Sequence, residues 1–273
     1  MNTLNRIKDR YRYSAIILKQ LVVTDFKLRY KGSVLGYLWT LLRPLALFAV
    51  LYVVFVNFLR FGDDIPHYPV YLLLGVVLWN YFVEVTVNGV TSIVGKGDLM
   101  RKLSFPRYVV VIAGSVSALI NLAINLIVVT VFVVINGVDL TWNIVWLPLI
   151  ILELFVLALG MSFLLSALYV RFRDINYVWE VLVQAGFYLT PILYPLSMVN
   201  QVSEFAGKFL LLNPMAQIIQ DARYALVTTR TDTVYTVFAG SAYWLVPFAV
   251  VTIVTITSAI YFRRKSPSFA EDI

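Results

Sequence analysis

Long apolar runs are the feature that most constrains what this chain can fold into. A helix needs about 20 mainly apolar residues to cross the hydrocarbon core of a bilayer. Six stretches qualify, at about 35–59, 70–94, 108–135, 144–168, 177–193 and 243–262, and the fifth is the shortest. The sequence therefore predicts an all-α, polytopic membrane protein with six transmembrane helices.

The polar residues leave little room for a second folded unit. The chain has 273 residues, of which 60% are hydrophobic and 14% are charged, whereas about a quarter of the residues of a soluble domain are charged. We therefore expect one transmembrane domain over 1–273: a cytoplasmic interface segment (1–34), the six-span region (35–262) and a cytoplasmic tail (263–273). A charged segment precedes the first span, so we expect no cleaved signal peptide.

The distribution of basic residues predicts the orientation. With six spans, 17 Lys and Arg residues fall on the side of the two termini and four on the other side, while Arg43 lies inside the first span. Positive charge accumulates on the cytoplasmic side of membrane proteins. Both termini are expected in the cytoplasm and the protein in the cytoplasmic membrane. Topology accounts for the net charge of +7, and no nucleic-acid partner is expected.

The segment at about 5–31 has two competing patterns. Ile17, Leu21 and Leu28 share one face of a helix, and Asp25 and Arg29 have the spacing of a helical ion pair. Residues 24–31 also alternate as a strand would. We favour an amphipathic helix in the membrane interface, with its basic side toward anionic headgroups. The alternative is a basic tail that only sets topology.

The segment at about 195–242 lies on the external side and mixes apolar with polar residues. Its apolar pieces, 205–212 and 215–227, are too short or too polar to span a bilayer, and Asn213-Pro214 separates them. Short re-entrant helices are expected, because broken elements are tolerated at membrane depth where protein or a watery cavity surrounds them. An ordinary external loop is the alternative.

Motifs of catalysis are missing from the sequence. GKGDLMRK at 95–102 lacks the spacing and the hydroxyl residue of a phosphate-binding loop, there is no cysteine, and His67 is the single histidine. No Ser/His/Asp arrangement can be assembled with confidence. We expect a chain that is not an enzyme, that holds no metal and that binds no cofactor of its own.

Three charged residues fall inside predicted spans, where charge is costly and usually functional. They are Arg43, Glu84 and Glu153. We expect Arg43 to face the protein interior and to pair with Glu84 or Glu153. Such a pair would be either a polar element of a transport path or a purely structural link between helices.

Aromatic residues cluster at the ends of the predicted spans. For Tyr37, Trp39, Trp79, Tyr81 and Phe82 two interpretations stay open. They form an interfacial aromatic belt, or they provide ring faces on which the sugars of a passing glycan stack.

Several motifs together resemble a known family. They are DFKLRYKGSVLGYLWTLLRPL at 25–45, YLLLGVVLWNYF at 71–82, LMRKLSFPR at 99–107, RFRDI at 171–175 and LNPM at 212–215. Their order resembles that of the membrane subunit of ABC exporters of polysaccharides and polyol phosphates. The resemblance covers nearly the whole chain.

The resemblance implies a homodimer around a central conduit, served by two copies of a cytoplasmic ATPase that binds ATP and Mg²⁺. The implied substrate is a lipid-linked glycan such as O-antigen, with capsule polymer or teichoic acid as alternatives. A drug or lipid exporter of the same architecture and a membrane-embedded glycan assembly factor are further alternatives. External re-entrant helices before the last span are also implied.

The resemblance gives the basic cytoplasmic loops a second role, as contacts with the ATPase. The residues expected to couple to it are Lys96, Asp98, Arg101, Lys102, Arg107, Arg171, Arg173 and Asp174. A cytoplasmic entry for the substrate is expected at Lys27, Arg29, Tyr30 and Lys31.

Overall fold

The computed structural model describes residues 3–29, 35–36, 38–59, 65–97 and 106–269. All regular structure within these ranges is helical, which confirms the predicted fold class. The helices are α1 (Thr3–Arg29), α2 (Leu38–Tyr52), α3 (Tyr68–Ser92), α4 (Tyr108–Ile135), α5 (Leu147–Arg171), α6 (Ile175–Leu189), α7 (Leu196–Val202), α8 (Glu204–Leu211), α9 (Pro214–Leu226), α10 (Val234–Val237) and α11 (Val246–Lys265). A π-helix, Val53–Phe58, extends α2, and short 3₁₀ turns adjoin α3, α5 and α11.

The ends of these helices follow local sequence signals. Proline stands within the first two positions of α3, α5, α9 and α11, where its missing N–H leaves no helical hydrogen bond unmade. Arg263, Arg264 and Lys265 occupy the last turn of α11 and complement the negative end of the helix dipole. His67 takes a left-handed conformation (φ 57°) directly before α3.

Five helices of the described residues are long and apolar enough to cross a membrane. They cover Leu38–Phe58, Tyr68–Ser92, Tyr108–Ile135, Trp142–Arg171 and Ala242–Ser268, and correspond to the first four predicted spans and the sixth. The chain is therefore a multi-pass membrane protein.

The fifth predicted span is not confirmed as a full crossing. Its helix, α6, has 15 residues, which gives a length of about 22 Å against a hydrocarbon core of about 30 Å. Thr190 has extended backbone angles (φ −82°, ψ 139°) because Pro191 follows it and disfavours the helical conformation. The helix ends where this proline requires it.

Helix α3 is the hub of the fold. It packs against α2, α4, α5, α6 and α9, and its core residues Leu72, Leu74 and Leu78 are fully buried. Gly89 brings α3 close to α5: Ser162 Oγ donates to the Val85 carbonyl over 2.9 Å, and a Cβ on Gly89 would lie 2.5 Å from that Oγ. Small residues at such crossings allow transmembrane helices to approach closely.

Helix α1 confirms a helical N-terminal segment up to Arg29, and the strand interpretation of 24–29 is wrong. It packs along α4. Its Leu21 contacts a small apolar cluster that joins the ends of α3, α4, α5 and α11, formed by Ile93, Val110, Val111, Ala167, Val170, Phe262 and Phe269. Whether α1 lies in the membrane interface stays a prediction.

The segment between α6 and α11 is helical, and the interpretation as a plain loop is wrong. The predicted break at Asn213-Pro214 is confirmed, because α8 ends at Leu211 and α9 begins at Pro214. The side chain of Asn213 caps α9 by accepting from the backbone N–H of Met215 over 3.0 Å. Helix α9 packs against α3, α5 and α11.

Candidate transport cavity and its supports

A polar cavity of about 470 Å³ lies between α2, α3 and α4. We call it the transport cavity. Its walls carry five amide or carboxylate side chains, two aromatic rings and one arginine, within helices that are otherwise apolar. The lining residues are Trp39, Thr40, Arg43, Pro44, Val77, Asn80, Tyr81, Val83, Glu84, Val87, Asn88, Asn121, Leu122 and Asn125.

Helical periodicity places the polar residues on one side of each helix. Asn80, Glu84 and Asn88 follow one another at intervals of four in α3, and Asn121 and Asn125 do so in α4. Residues four apart lie on the same helix face. The two polar faces meet at the cavity.

Hydrogen bonds connect these two faces and reach α2. Asn121 Nδ2 donates to Glu84 Oε1 over 2.7 Å. Asn125 Nδ2 donates to the carbonyl of Asn121 over 2.8 Å and to that of Thr40 over 3.3 Å. The network therefore holds α3, α4 and α2 around the cavity.

Two polar atoms at the cavity have no hydrogen-bond partner among the described residues. They are Asn121 Oδ1 and the Tyr81 hydroxyl, and both atoms are buried. A buried polar atom without a partner is costly. Both residues line the cavity, so that a small movement of either side chain would present its polar atom to water or to a polar ligand there.

The predicted intramembrane charges separate into two places. Arg43 and Glu84 line the same cavity. Glu153 does not belong there: it lines a groove of about 810 Å³ between α5, α9, α10 and α11, where Gln217 Nε2 donates to its Oε2 over 3.3 Å and to Asp221 Oδ2 over 2.6 Å. Of the two carboxylates proposed to face Arg43, the structure brings only Glu84 into its cavity.

The candidate glycan-lining rings also separate. Trp39 and Tyr81 line the transport cavity, and Trp39 is half exposed. Trp79 and Phe82 are buried and pack against α6, with ring centroids 6.1 Å from Phe187 and 6.2 Å from Trp179 respectively. The interpretation of Trp79 and Phe82 as glycan-facing rings is therefore corrected, because both lie in the packed contact between two helices. Tyr37 lies outside the described residues.

Basic residues gather near the C-terminal end of α3. Lys96, in the 3₁₀ turn after α3, bonds Asp25 of α1 with Nζ–Oδ distances of 3.0 and 2.9 Å. The ion pair fastens α1 to the start of the charged loop. Arg107 stands directly before α4, and Lys27 is exposed.

The turn between α5 and α6 presents its charges to solvent. Arg171, Arg173 and Asp174 are all exposed. The guanidinium carbon of Arg171 lies 5.5 Å from the centre of the Phe172 ring, and that of Arg173 lies 5.1 Å from the centre of the Tyr169 ring, distances at which a cation attracts an aromatic face.

Several predicted residues fall outside what the structure describes. They are Tyr30, Lys31, Asp98, Arg101 and Lys102, together with the side chain of Arg29. Their roles in coupling and entry stay predictions.

Arg223 of α9 is fully buried and hydrogen-bonded on three sides. Its Nε donates to the carbonyl of Tyr71 over 3.0 Å, its Nη1 to that of Pro191 over 2.6 Å, and its Nη2 to that of Ile192 over 2.7 Å. The guanidinium also lies over the Tyr71 ring at 3.5 Å. One side chain thus joins α3, α9 and the turn after α6.

The backbone of α3 is shaped to admit this arginine. A Cβ on Gly75 would lie 2.6 Å from Arg223 Nη2. Any residue other than glycine at this position would therefore clash with the guanidinium. Gln220, one turn earlier in α9, accepts from Arg223 Nη1 over 3.0 Å and from the Tyr71 hydroxyl over 3.2 Å.

Sequence reasoning missed most of the amides and treated Arg223 as an external charge. The signal for the amides was present, since Asn80 and Asn88 flank Glu84 at helical spacing and Asn121 and Asn125 repeat it. Nothing local identifies the surroundings of Arg223, because the three carbonyls that it bonds belong to residues 31 to 152 positions away in the chain.

These features are those of an all-helical, multi-pass membrane protein with a polar cavity among its first spans. The model of the ABC-2 type transporter family matches residues 17–227. The chain belongs to the ABC-2 type transporter family.

Named relatives support this assignment over most of the chain. The O-antigen export system permease protein RfbA of Myxococcus xanthus is 30% identical over 268 residues, which cover 98% of each chain. A protein of the same name from Klebsiella pneumoniae is 31% identical over 216 residues, or 78% of this chain and 82% of that one. The polysialic acid transport protein KpsM of Escherichia coli is 22% identical over 231 residues, covering 81% and 84% of the two chains.

Proposed function

We propose that this chain is the permease half of an ATP-driven exporter that moves a lipid-linked polysaccharide of the O-antigen type across the cytoplasmic membrane. The observation that carries the proposal is the transport cavity, lined by neutral amides and aromatic rings, in a chain similar to permeases named for O-antigen export. The lower similarity to KpsM supports capsular polymer as the second candidate substrate.

The lining of the cavity suits a sugar polymer that must pass without being held. Side-chain amides both donate and accept hydrogen bonds, as sugar hydroxyls do, and each such exchange with water has a small net free energy. The rings of Trp39 and Tyr81 offer apolar faces beside these amides. Arg43 gives the same wall a positive charge for the diphosphate of a lipid-linked glycan.

A second copy of the chain completes the conduit in this proposal. Only 11% of the first span is buried within one chain, yet this span forms one wall of the cavity through Trp39, Thr40 and Arg43. Packing of two such faces around a two-fold axis would enclose the path, and two-fold homodimers are the commonest assembly.

The ATPase is a separate cytoplasmic subunit that docks on the basic end of the molecule. The sequence contains no phosphate-binding loop. An ATPase that binds from the cytoplasm can move the helices of this chain only if its contact surface is rigidly attached to them. The Lys96–Asp25 pair holds α1 against the start of the charged loop, and Arg171, Arg173 and Asp174 project into solvent beside α5 and α6. We assign α1 to the membrane interface and both termini to the cytoplasm.

Both termini lie on one side only if the chain crosses the membrane once more at α6. Helix α6 and the turn at 190–194 together supply this crossing. It ends at the turn, where the carbonyls of Pro191 and Ile192 accept hydrogen bonds from Arg223. Helices α7 to α10 then form the re-entrant external segment.

Reconstitution tests the proposal. The chain is placed in proteoliposomes with a cytoplasmic ABC ATPase of the same host and a labelled lipid-linked glycan, and export is measured as label that becomes accessible across the bilayer. Wild type exports with ATP, and Glu84→Leu reduces the rate at least about tenfold because the substitution leaves an amide of the cavity without its partner. Thr130→Ala, an exposed site on α4, is the control and exports normally. No export by the wild-type pair would refute the proposal.

The proposed contact of Arg101 and Lys102 with the ATPase can be tested separately. Arg101→Glu with Lys102→Glu is expected to uncouple ATP hydrolysis from export, because the reversed charges repel the docking surface. Membrane insertion stays normal, as measured by protein in the membrane fraction. Normal export by the double variant would remove these residues from the interface.

A further inference from the structure

A second polar cavity, of about 310 Å³, lies on the external side of the molecule. We call it the external pocket. It shares no lining residue with the transport cavity. Its walls come from the residues before α3, from α3 itself, from α7, from α9 and from the loop after α9: Ile65, Pro66, Tyr71, Pro195, Leu196, Ser197, Met198, Gln201, Gln220, Thr228, Arg230, Thr231 and Asp232.

One hydroxyl of this pocket lacks a partner. Thr231 is 7% exposed, and its Oγ1 is buried with no hydrogen-bond partner among the described residues. A buried hydroxyl without a partner is unfavourable. Rotation about the Cα–Cβ bond moves the hydroxyl to another staggered position, so that a ligand with hydrogen-bonding groups in the pocket would favour the rotamer whose hydroxyl faces it.

Charged groups stand beside this hydroxyl. Asp232 Oδ2 accepts from Asn200 Nδ2 over 3.3 Å, and Arg230 is exposed at the rim. Burial raises the pKa of the Asp232 carboxyl above its ordinary value. A carboxylate that accepts, an arginine that donates, and hydroxyls and amides that do both form a donor and acceptor set that matches the hydroxyls of a sugar ring.

The pocket is joined to the buried arginine by one residue. Gln220 lines the pocket, donates from Nε2 to the carbonyl of Asp232 over 3.3 Å, and accepts from Arg223 Nη1. A ligand that displaces the Asp232 loop therefore acts directly on the network that joins α3, α9 and the turn after α6.

We infer that the external pocket binds one pyranose unit of the glycan as it leaves the transporter. The inference rests on the proposed function, since that function supplies both the ligand and the external orientation. Thr231 and Asp232 are its hydrogen-bonding residues, and Arg230 favours units that carry a carboxylate or a phosphate. The pocket is small, about 310 Å³, so it contacts only a short part of the polymer at a time.

Binding to the complete transporter tests this pocket. The probe is the polysaccharide that the host cell makes, released from its lipid by mild acid and added to the permease–ATPase complex in nanodiscs, with calorimetry as the readout. Thr231→Val and Asp232→Asn are each expected to raise the dissociation constant about tenfold. Thr252→Val, the same change at an exposed site on α11, leaves it unchanged.

The outcomes separate this inference from the function on which it rests. Equal binding by wild type and both pocket variants overturns the pocket, and so does the absence of any binding while reconstituted export is normal. Absence of export by wild type overturns the proposed function itself. Melting temperatures are compared first, and if one pocket variant is unfolded the other decides.

Discussion

The first and second spans are both apolar and long enough to cross a bilayer, but they have opposite places in the molecule. Within one chain, and counted over an apolar stretch of 18 residues in each span, 11% of the residues are buried in the first span and 78% in the second. Apolar character therefore identifies a membrane span without saying whether lipid, the same chain or another chain surrounds it. In lipid, helices associate through close packing and polar contacts, and these contacts are concentrated on the second span.

The difference arises from a few side chains. The second span has Gly75 under Arg223 and Gly89 against Ser162, so that neighbouring segments approach its backbone on two sides. The first span presents large exposed side chains instead, including Val50 and Phe58. The two spans meet at the transport cavity, where one provides Arg43 and the other Glu84.

Removal of Arg223 should have the largest effect, because it detaches the second span from α9 and from the turn after α6. Arg223→Leu leaves three carbonyls without their donor, and we expect a loss of more than about 3 kcal/mol in the free energy of unfolding. Thermal melting of the purified protein measures it. Arg230→Leu, an exposed arginine, is the control; equal melting temperatures for the two variants would contradict this role.

Two glycines test whether close packing distinguishes the second span. At Gly89 a Cβ would lie 3.1 Å from the Cα of Ser162 and closer still to its side chain, whereas at Gly114 in α4 it meets nothing within 4 Å. Gly89→Ala should cost about 1–3 kcal/mol through overpacking. Gly114→Ala should be neutral or stabilise by up to about 1 kcal/mol, because alanine favours the helix. Similar melting temperatures would show that α3 and α5 separate easily.

The exposed face of the first span is expected to contact a second copy of the chain. The chain contains no cysteine, so single cysteines can be placed at Leu47, Val50, Val54 and Phe58, all exposed. At least one is expected to form a disulfide between copies under mild oxidation, seen as a dimer on a non-reducing gel. Val76→Cys, fully buried in the second span, should not. Monomers at every first-span position would place the dimer contact elsewhere.

The smallest effect is expected at the link between α1 and the end of the second span. Lys96 and Asp25 are each about a quarter exposed (26% and 28%), so the pair should contribute about 0.5 kcal/mol. Lys96→Asp should lower both stability and coupled export slightly, and the exchange Lys96→Asp with Asp25→Lys should restore them. A double-mutant cycle on the melting temperature measures the coupling between Lys96 and Asp25. A coupling of zero would show that the ion pair does not attach α1 to the end of the second span.

The sequence predicted the helical class, the break at Asn213-Pro214 and six crossings, of which five correspond to helices long enough to span a membrane, because all three predictions depend on local composition or on proline. It marked the fifth span as the shortest but did not predict its end at Leu189, since apolar residues continue past Leu189 and only the Thr190-Pro191 turn ends the helix. It identified Arg43 and Glu84 as special because charge in a span is rare. It could not separate Tyr81, which faces the cavity, from its neighbour Phe82, which faces α6, because that distinction depends on how helices pack.

The buried arginine also affects the order in which parts of the chain can pack during synthesis. Tyr71 and Arg223 are 152 residues apart, and ribosomes add about 5–20 residues per second. The N-terminal end of the second span therefore waits roughly 8–30 seconds in the membrane before its partner exists. The turn at Pro191 waits for a shorter time, because it precedes Arg223 by 32 residues. A nascent chain cut before residue 223 lacks the donor for both, and this end of the molecule should be more sensitive to protease than in the full chain.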